Sequence, residues 1–176
     1  MKKKIDPFDY AGQICKALSK GILITAKRDG QVNPMSIGWG HIGREWNRPI
    51  FIAYVRESRY TKQMISDTWE FTVNAPLDEP DKDIIAFCGK TSGRDTDKVA
   101  SLGLHLEEPN QISVPGIKEF PVTLECKVLY EAEQLRQELP PDIQERSYSL
   151  INKTGEGNHT AFWGEIVDAY IIVEDE

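Results

Sequence analysis

Two segments of the sequence carry residue types that can bind a small, phosphate-bearing ligand. Residues 32–40 (VNPMSIGWG) combine a β-like first half with small residues, which leave backbone N–H and C=O groups accessible at close range. Residues 56–61 (RESRYT) place hydroxyls and cations where a helix is expected to begin. Together the two segments predict a site for a flat ligand that has a polar edge and a phosphate group.

Part of the second segment could hold the phosphate. The candidate residues are Arg56, Ser58, Arg59 and Thr61. Hydroxyls and amides at a helix N-terminus, backed by guanidinium groups, suit a phosphate monoester in geometry and charge. The alternative is that Ser58 only caps the helix and the arginines are solvated, because helix caps are commoner than phosphate sites.

A second polar cluster occupies residues 92–98 (SGRDTDK). A glycine before a helix start can form an anion-binding nest, and Lys98 adds a positive charge. The alternative is that Asp95 caps the helix and Lys98 lies on the surface. Arg94 would then pair with Asp95 and Asp97.

Three glycines, Gly38, Gly40 and Gly43, spell a G-x-G-x-x-G pattern. This pattern binds dinucleotides only between a strand and a helix whose N-terminus faces the pyrophosphate. Here residues 44–49 (REWNRP) lead directly into another strand, which leaves no room for that helix. We therefore reject the dinucleotide interpretation and predict that these glycines form bends or close backbone approaches.

Hydrophobic periodicity and turn residues predict the elements that position these clusters. Short helices are predicted at residues 11–19, from Ser58 through Ile65, from 81 or 82 to 88, and at 95–102, with Gly89 and Gly103 as stops. Strands are predicted at residues 21–26, 31–39, 49–55, 71–74, 122–132 and 160–173. Asp29-Gly30 predicts a hairpin turn, and Pro34 and Gly38 indicate a bent edge strand after it.

This pattern predicts a fold class. Pro140, Pro141 and residues 152–158 mark irregular segments between the last two strands. Long helices do not alternate with strands, which argues against a doubly wound parallel sheet. We predict one domain over residues 1–176 that is mainly β, an antiparallel barrel with short inserted helices.

Composition excludes some classes of function. The chain has 176 residues and a net charge of -7, which argues against nucleic acid as a partner. Nothing approaches the apolar run of a membrane span. Cys15, Cys88 and Cys126 show no metal-binding spacing, and we predict that each packs as a small apolar residue. Lys2, Lys3 and Lys4 precede no apolar run, so we expect a reduced, cytoplasmic protein.

Several segments, taken in order, resemble one known family. They are residues 33–40, 49–56, 58–61, 71–76, 88–98, 124–126 and 159–167. Each is weak alone, but the ordered set spans nearly the whole chain and is similar to the flavin reductase-like proteins with an FMN-binding split barrel, which include flavoredoxin. The resemblance implies a homodimer that holds FMN non-covalently near its interface.

The resemblance also implies which residues contact FMN. They are Asn33, Met35, Ser36, Ile37, Gly38, Trp39, Arg56, Ser58, Arg59, Thr61, Ser92, Lys98 and His159. The isoalloxazine ring needs donors near O4 and N5 and acceptors near N3, which the irregular strand can supply from its backbone. Ser92 and Lys98 are expected at the phosphate or ribityl chain.

Two aromatic positions stay open. Trp39 either packs against the flavin or fills the core, as most tryptophans do. A lone loop histidine such as His159 is most often structural or solvated. The resemblance instead places His159 near the flavin ring.

The function that these expectations favour is NAD(P)H-dependent oxidoreduction through FMN. NADH or NADPH would give a hydride to the flavin, and a small molecule or a protein would accept the electrons. The flavin carries this chemistry, which explains why no catalytic triad or carboxylate pair stands out. The alternatives are a flavoredoxin-like electron carrier without efficient nicotinamide oxidation, and a non-enzymatic ligand-binding barrel.

Overall fold

The computed structural model describes residues 1–149 and 157–173. The strands are β1 (Lys2–Lys4), β2 (Ile22–Arg28), β3 (Gln31–Ile37), β4 (Gly40–Glu45), β5 (Arg48–Arg56), β6 (Glu70–Ala75), β7 (Leu106–Glu107), β8 (Gly116–Ile117), β9 (Val122–Gln134) and β10 (His159–Ile172). The α-helices are α1 (Ala11–Leu18), α2 (Tyr60–Thr68), α3 (Lys82–Lys90), α4 (Lys98–Leu102) and α5 (Pro141–Tyr148). A 3-10 helix covers Arg136–Glu138. The predicted mainly β chain with short helices is confirmed.

One antiparallel sheet of eight strands forms the body of the molecule. Its order is β3-β2-β6-β9-β10-β5-β4, and β1 also pairs with β10. The two-stranded pair of β7 and β8 lies apart from it. The prediction that β3 is an edge strand is therefore confirmed.

The two ends of this sheet meet because of the chain connection between them. β3 and β4 lie at opposite ends of the strand order, yet only Gly38 and Trp39 join them. Three Cα–Cα steps reach at most about 11 Å. Six strand spacings of a flat sheet would cover about 29 Å. The sheet must therefore curl until β3 approaches β4, which gives an antiparallel split barrel, and we call the Gly38–Trp39 connection the split.

Two tight hairpins fix the register on either side of the split. Asp29 and Gly30 join β2 to β3 with φ angles of 52° and 81°, as the Asp-Gly pair predicts. Trp46 and Asn47 join β4 to β5 with φ angles of 51° and 59°. β4 was not predicted from the sequence, because Trp-Asn is not a usual turn pair for positive φ.

Alternating residues of β2 enter two separate apolar clusters. Ile22 and Ile24 face the barrel interior, which also holds the buried rings of Phe51 and Phe71. Leu23 faces the opposite side. The cluster on that side contains Leu23, Ile84, Cys88, Leu104, Ile117 and Phe120. This second cluster holds α3 against the outside of the barrel, beside β3.

The boundaries of α3 and α4 differ from the prediction. α3 continues through Gly89, so the prediction that Gly89 ends it is wrong. A Cβ at this position would collide with the hydroxyl of Ser36, so the glycine serves the close approach of α3 to β3. α4 begins at Lys98 rather than at residue 95, with Asp97 as its N-cap. Gly103 ends α4 with a φ of 63°, as predicted.

Residues 141–148, which were predicted to be irregular, form α5. Pro141 occupies the first helical position, where its missing N–H has no helical partner to lose. The predicted irregular stretch at residues 152–158 lies outside the described residues, apart from Gly157 and Asn158.

The cysteines are free thiols. Cys88 and Cys126 are buried as predicted, and burial raises the pKa of Cys88 to about 11. Cys15 is exposed, so the prediction that it packs is wrong: the buried face of α1 consists of Ile14, Ala17 and Leu18. Within the described part of the chain, no helix is long and apolar enough to cross a membrane.

Candidate functional site

A continuous groove follows β3 and contains every residue that was predicted to contact FMN. It consists of two cavities that share Met35 and Arg59. The polar cavity, of about 220 Å³, is lined by Asn33, Met35, Ser58, Arg59, Tyr60, Thr61, Cys88, Thr91, Ser92, Gly93, Arg94 and Lys98. The edge cavity, of about 160 Å³, is lined by Met35, Ser36, Ile37, Gly38, Trp39, Tyr54, Arg56, Arg59 and His159. We call the two together the β3 groove.

Lys98 is the buried cation of the polar cavity, with only 2% of its surface exposed. Its Nζ donates to the carbonyl oxygen of Pro34 at 2.9 Å and to that of Cys88 at 3.0 Å. Burial lowers the pKa of Lys98 to about 8, and the nearby charge of Arg59 acts in the same direction. The alternative that Lys98 is a surface residue is therefore wrong. An ammonium has three donors, so one N–H beyond these two bonds can serve a ligand.

Asn33 of β3 and Gly93 of the loop before α4 lie next to each other on one side of the polar cavity. Nδ2 of Asn33 donates to Oγ1 of Thr61 at 2.8 Å. Oδ1 of Asn33 is buried and has no hydrogen-bond partner among the described residues. A Cβ at Gly93 would collide with this oxygen, so the glycine leaves room for it. A buried acceptor without a partner is costly, and a ligand hydroxyl in the polar cavity would satisfy it.

The start of α2 differs from the prediction. Its N-cap is Arg59, and no side chain in the described part of the chain caps the helix, so the proposed capping role of Ser58 is wrong. Ser58 is exposed and lines the polar cavity. Thr61 lies in the first turn as predicted, with 1% of its surface exposed. A first turn without a side-chain cap leaves helix N–H groups for water or a ligand.

The predicted alternatives for residues 94–97 are also corrected. Arg94 lies with its guanidinium 5.0 Å from the ring centre of Tyr60, and it donates to the carbonyl oxygen of Ser58 at 3.4 Å. Asp97 caps α4, which it does by accepting a bond from the backbone of Ala100 at 3.0 Å. Arg94 therefore closes one side of the polar cavity instead of pairing with its acidic neighbours.

The other residue of this cluster, Ser92, holds the loop before α4. Its Oγ accepts a bond of 3.2 Å from the backbone N–H of Arg94, and its carbonyl oxygen accepts bonds from Asp95 and Thr96. Asp95 therefore belongs to this turn and is not the cap of α4. The turn keeps Gly93 and Ser92 on the wall of the polar cavity.

The backbone of β3 directs polar groups into the edge cavity. In an antiparallel pair, residues alternate between those that exchange both bonds with their partner and those that exchange neither. Pro34 lies opposite Thr25 and has no N–H, so it belongs to the second kind, and its carbonyl oxygen points to Lys98 instead. Ser36 lies two residues further along and has the same orientation. Its N–H and C=O are thus outside the ladder, at the wall of the edge cavity.

Aromatic side chains close the far end of the groove at the split. Trp39 is 43% exposed, so the alternative that it fills the core is wrong. Its ring centre lies 4.8 Å from that of His159, which is 5% exposed and is the first residue of β10. Nδ1 of His159 lies 3.0 Å from the hydroxyl of Tyr148. The histidine is therefore neither solvated nor in a loop.

Arg56 ends β5 beside this aromatic group. Its guanidinium donates to the carbonyl oxygen of Ser147 at 3.3 Å, which ties β5 to α5. Arg56 lines the edge cavity, whereas the other predicted phosphate residues line the polar cavity, with Arg59 shared between them. Arg56 therefore does not line the same cavity as Ser58 and Thr61, with which it was predicted to hold a phosphate.

Six residues that line the groove are absent from the predicted FMN contacts: Tyr54, Tyr60, Cys88, Thr91, Gly93 and Arg94. Tyr148, whose hydroxyl lies 3.0 Å from Nδ1 of His159 without lining the groove, was also missed. Tyr54 lies between the buried residues Ala53 and Val55, so its position on the opposite face of β5 could have been recognised. Tyr148 could not have been recognised from the sequence, because Pro140 and Pro141 predicted an irregular segment where the structure has α5.

Comparison with known proteins gives a family match over most of the chain. The family model described as the flavin reductase like domain matches residues 19–176. An uncharacterized protein of Archaeoglobus fulgidus is 34% identical over 113 residues. That alignment covers 64% of this chain and 51% of the other, so this chain spans about half the length of its relative.

Solved structures share the fold. Flavoredoxin from Methanosarcina acetivorans has 26% identity and a TM-score of 0.64, with 87% of this chain and 68% of that chain covered. Flavoredoxin of Desulfovibrio vulgaris (Miyazaki F) has 25% identity and a TM-score of 0.65, with 86% and 69% covered. An NADH:FAD oxidoreductase of Streptomyces globisporus has 15% identity and a TM-score of 0.64, with 97% and 87% covered.

Proposed function

This chain belongs to the flavin reductase like domain family, and on that premise we propose that it is an oxidoreductase that binds FMN in the β3 groove and oxidises NADH or NADPH. The observation that carries the proposal is the backbone of Ser36, whose N–H and C=O lie outside the β2 ladder. Along the chain, Ser36 lies between Asn33, which lines the cationic polar cavity, and Trp39. Trp39 forms an aromatic wall together with His159 and Tyr148. The groove thus offers positive charge, then backbone polar groups, then aromatic rings. This order matches a ligand that consists of a phosphate, a polar chain and a flat ring with a polar edge.

The residues of the groove fit each part of FMN. The phosphate suits Lys98, Arg59 and the first turn of α2, where positive charge and backbone N–H groups lie together. The ribityl hydroxyls suit Oδ1 of Asn33, which has no hydrogen-bond partner among residues 1–149 and 157–173. The ring edge suits the backbone of Ser36, which offers a donor and an acceptor side by side.

The chemistry follows from these positions. FMN, when bound, supplies the site that accepts and returns a hydride. The chain's share is to hold the ring against β3 and to place donors where negative charge develops on reduction. The indole of Trp39 and the imidazole of His159 limit the access of water from the split. Proton transfer by a side chain is not required for hydride transfer itself.

We extend the proposal to a homodimer in the cytoplasm that passes electrons to a small molecule or a protein. Exposed apolar residues on β9, Leu129 at 41% and Tyr130 at 51%, supply surface that a second copy could cover. The net charge of -7 supports an acceptor other than nucleic acid.

A flavoredoxin-like electron carrier is the second candidate. The likeness to the two flavoredoxins favours it, because their identities of 26% and 25% exceed that to the NADH:FAD oxidoreductase. In this case FMN would remain bound and exchange electrons with another protein, without efficient oxidation of a nicotinamide.

The test is a visible spectrum of the purified protein with FMN, recorded without oxygen before and after the addition of NADH and then NADPH. Rapid bleaching by either nicotinamide supports the reductase and identifies the donor. Bleaching by dithionite but by neither nicotinamide supports the electron carrier. Failure of the protein to quench FMN fluorescence on titration would overturn both.

A further inference from the structure

A third cavity opens on the far side of the aromatic wall, and we call it the aromatic cleft. It has a volume of about 410 Å³, larger than either part of the β3 groove. Its apolar and ring-bearing walls are Trp39, His41, Tyr54, Leu139, Ile143 and Tyr148. Cavities of about 300–1,000 Å³ hold small organic ligands in other proteins.

The wall chemistry of the aromatic cleft restricts its ligand. Gln134 and Ser147 supply its other polar groups, and among the described residues that line it there is no Lys, Arg, Asp or Glu. The edge cavity next to it contains Arg56 and Arg59. Arg56 reaches the backbone carbonyl oxygen of Ser147 from the edge cavity, and it does not itself line the cleft. A phosphate or sulfonate in the cleft would therefore leave water without a cation among the described residues that line it, whereas an uncharged ring needs none.

The cleft is continuous with the proposed flavin site. Trp39 and Tyr54 line both the edge cavity and the aromatic cleft. Trp39 exposes 43% of its surface, and Ile143 of α5 exposes 41%. Large apolar side chains with this much exposure, on the two sides of one concave surface, are typical of a ligand-binding surface.

We propose that the aromatic cleft binds a flat, uncharged aromatic electron acceptor, such as a quinone, beside the flavin; the inference rests on the proposed function for the source of electrons. A quinone takes up two electrons and two protons to become a hydroquinone. The hydride of NADH or NADPH supplies two electrons and one proton, and water supplies the second proton. The absence of Lys and Arg among the described residues that line the cleft favours this class over a second dinucleotide, whose diphosphate carries charge.

The experiment is equilibrium dialysis of menadione against the oxidised, FMN-loaded protein with no nicotinamide present. Menadione is a flat, uncharged two-ring quinone, and we expect one molecule to bind per chain. We expect 1,4-naphthoquinone-2-sulfonate to bind at least about tenfold more weakly, because its charge finds no partner. Absence of menadione binding, or equal binding of the sulfonate, would overturn the inference.

A pair of variants on α5 locates the bound quinone. Ile143→Arg places a charged chain in the cleft and should weaken menadione binding at least about tenfold. Glu145→Arg is the matched control, because Glu145 is exposed on the same helix and does not line the cleft. Equal binding by both variants would contradict the assignment.

FMN titration of the same proteins separates the two proposals. Both variants should bind FMN as the wild type does, because neither residue lines the β3 groove. If the wild type fails to bind FMN, the proposed function fails. Dialysis of menadione against the flavin-free chain then still tests the cleft, since all its walls belong to the protein.

Discussion

Nδ2 of Asn33 donates a 2.8 Å hydrogen bond to Oγ1 of Thr61, and both residues are buried. The bond joins β3 to the first turn of α2 at the wall of the polar cavity. It also fixes the amide so that Oδ1 lies buried next to Gly93. The position of this buried acceptor therefore depends on a helix that is distant in sequence.

Thr61→Val removes the acceptor of this bond while keeping the shape of the side chain. A buried donor without a partner should lower the free energy of unfolding by about 1–2 kcal/mol. With the amide no longer fixed, we expect FMN affinity to fall by about tenfold, measured by fluorescence quenching. Thr68→Val is the control, because the hydroxyl of Thr68 bonds the carbonyl of Met64 within α2 and Thr68 does not line the polar cavity. Equal FMN affinity in both variants would contradict the role of Thr61.

Gly93→Ala tests the space beside the same amide. The added Cβ would collide with Oδ1 of Asn33, so the loop or the amide must move. We expect FMN affinity to fall by about tenfold or more, which a calorimetric titration would measure. Gly43→Ala is the matched variant, because its added Cβ meets nothing within 4 Å. It should bind FMN normally.

The fold could be predicted where local chemistry decides it. Asp29-Gly30 needs positive φ at both positions, and the long segments of β9 and β10 have good β propensity. β4 was missed because its turn places Trp46 and Asn47 at positive φ. Those angles are imposed by the pairing of β4 with β5, which no local pattern reveals.

The same limit explains the error at Gly89 and the alternative that stayed open for Lys98. Gly89 is a residue type that often follows the end of a helix, but α3 continues through it. Glycine is required at this position because a side chain would collide with Ser36 of the neighbouring β3. Lys98 resembled a surface residue, but two carbonyl oxygens from β3 and α3 surround its ammonium. Each depends on a contact between elements far apart in the chain, and for Lys98 only the resemblance to a family compensated for this in the sequence.

With a pKa of about 8, Lys98 should make the proposed FMN binding dependent on pH. A phosphate beside Lys98 favours its charged form, so affinity should be constant below pH 8 and fall by up to about tenfold per pH unit above it. Lys98→Met should remove this dependence, whereas Lys90→Met, at an exposed position of α3, should keep it. Fluorescence titrations between pH 7 and about 9.5 would measure all three. A wild-type affinity that stays flat would refute the contact.

The lowered pKa of Lys98 also makes the free energy of unfolding depend on pH, and this dependence has the opposite sign to that of FMN affinity. The folded pKa of Lys98 lies below its ordinary value of 10.5, so the unfolded chain binds more protons between about pH 8 and 10.5. The free energy of unfolding of the flavin-free wild type should therefore rise with pH in this window, relative to Lys98→Met. Urea unfolding at several pH values would show a difference that grows toward alkaline pH. A constant difference would contradict the lowered pKa.

Trp39→Ala separates a ligand-contacting tryptophan from a core one. A buried aromatic side chain costs about 3–5 kcal/mol when truncated to alanine. Trp39 is 43% exposed, so we expect a loss of only about 1 kcal/mol. Because its ring lines the edge cavity 4.8 Å from that of His159, the variant should also alter the visible spectrum of bound FMN and weaken its binding. Trp46→Ala is the control, since Trp46 is 53% exposed in the turn between β4 and β5 and lines neither part of the β3 groove. Thermal unfolding together with the flavin spectrum decides between the outcomes: a large loss of stability with unchanged FMN binding would place Trp39 in the core after all.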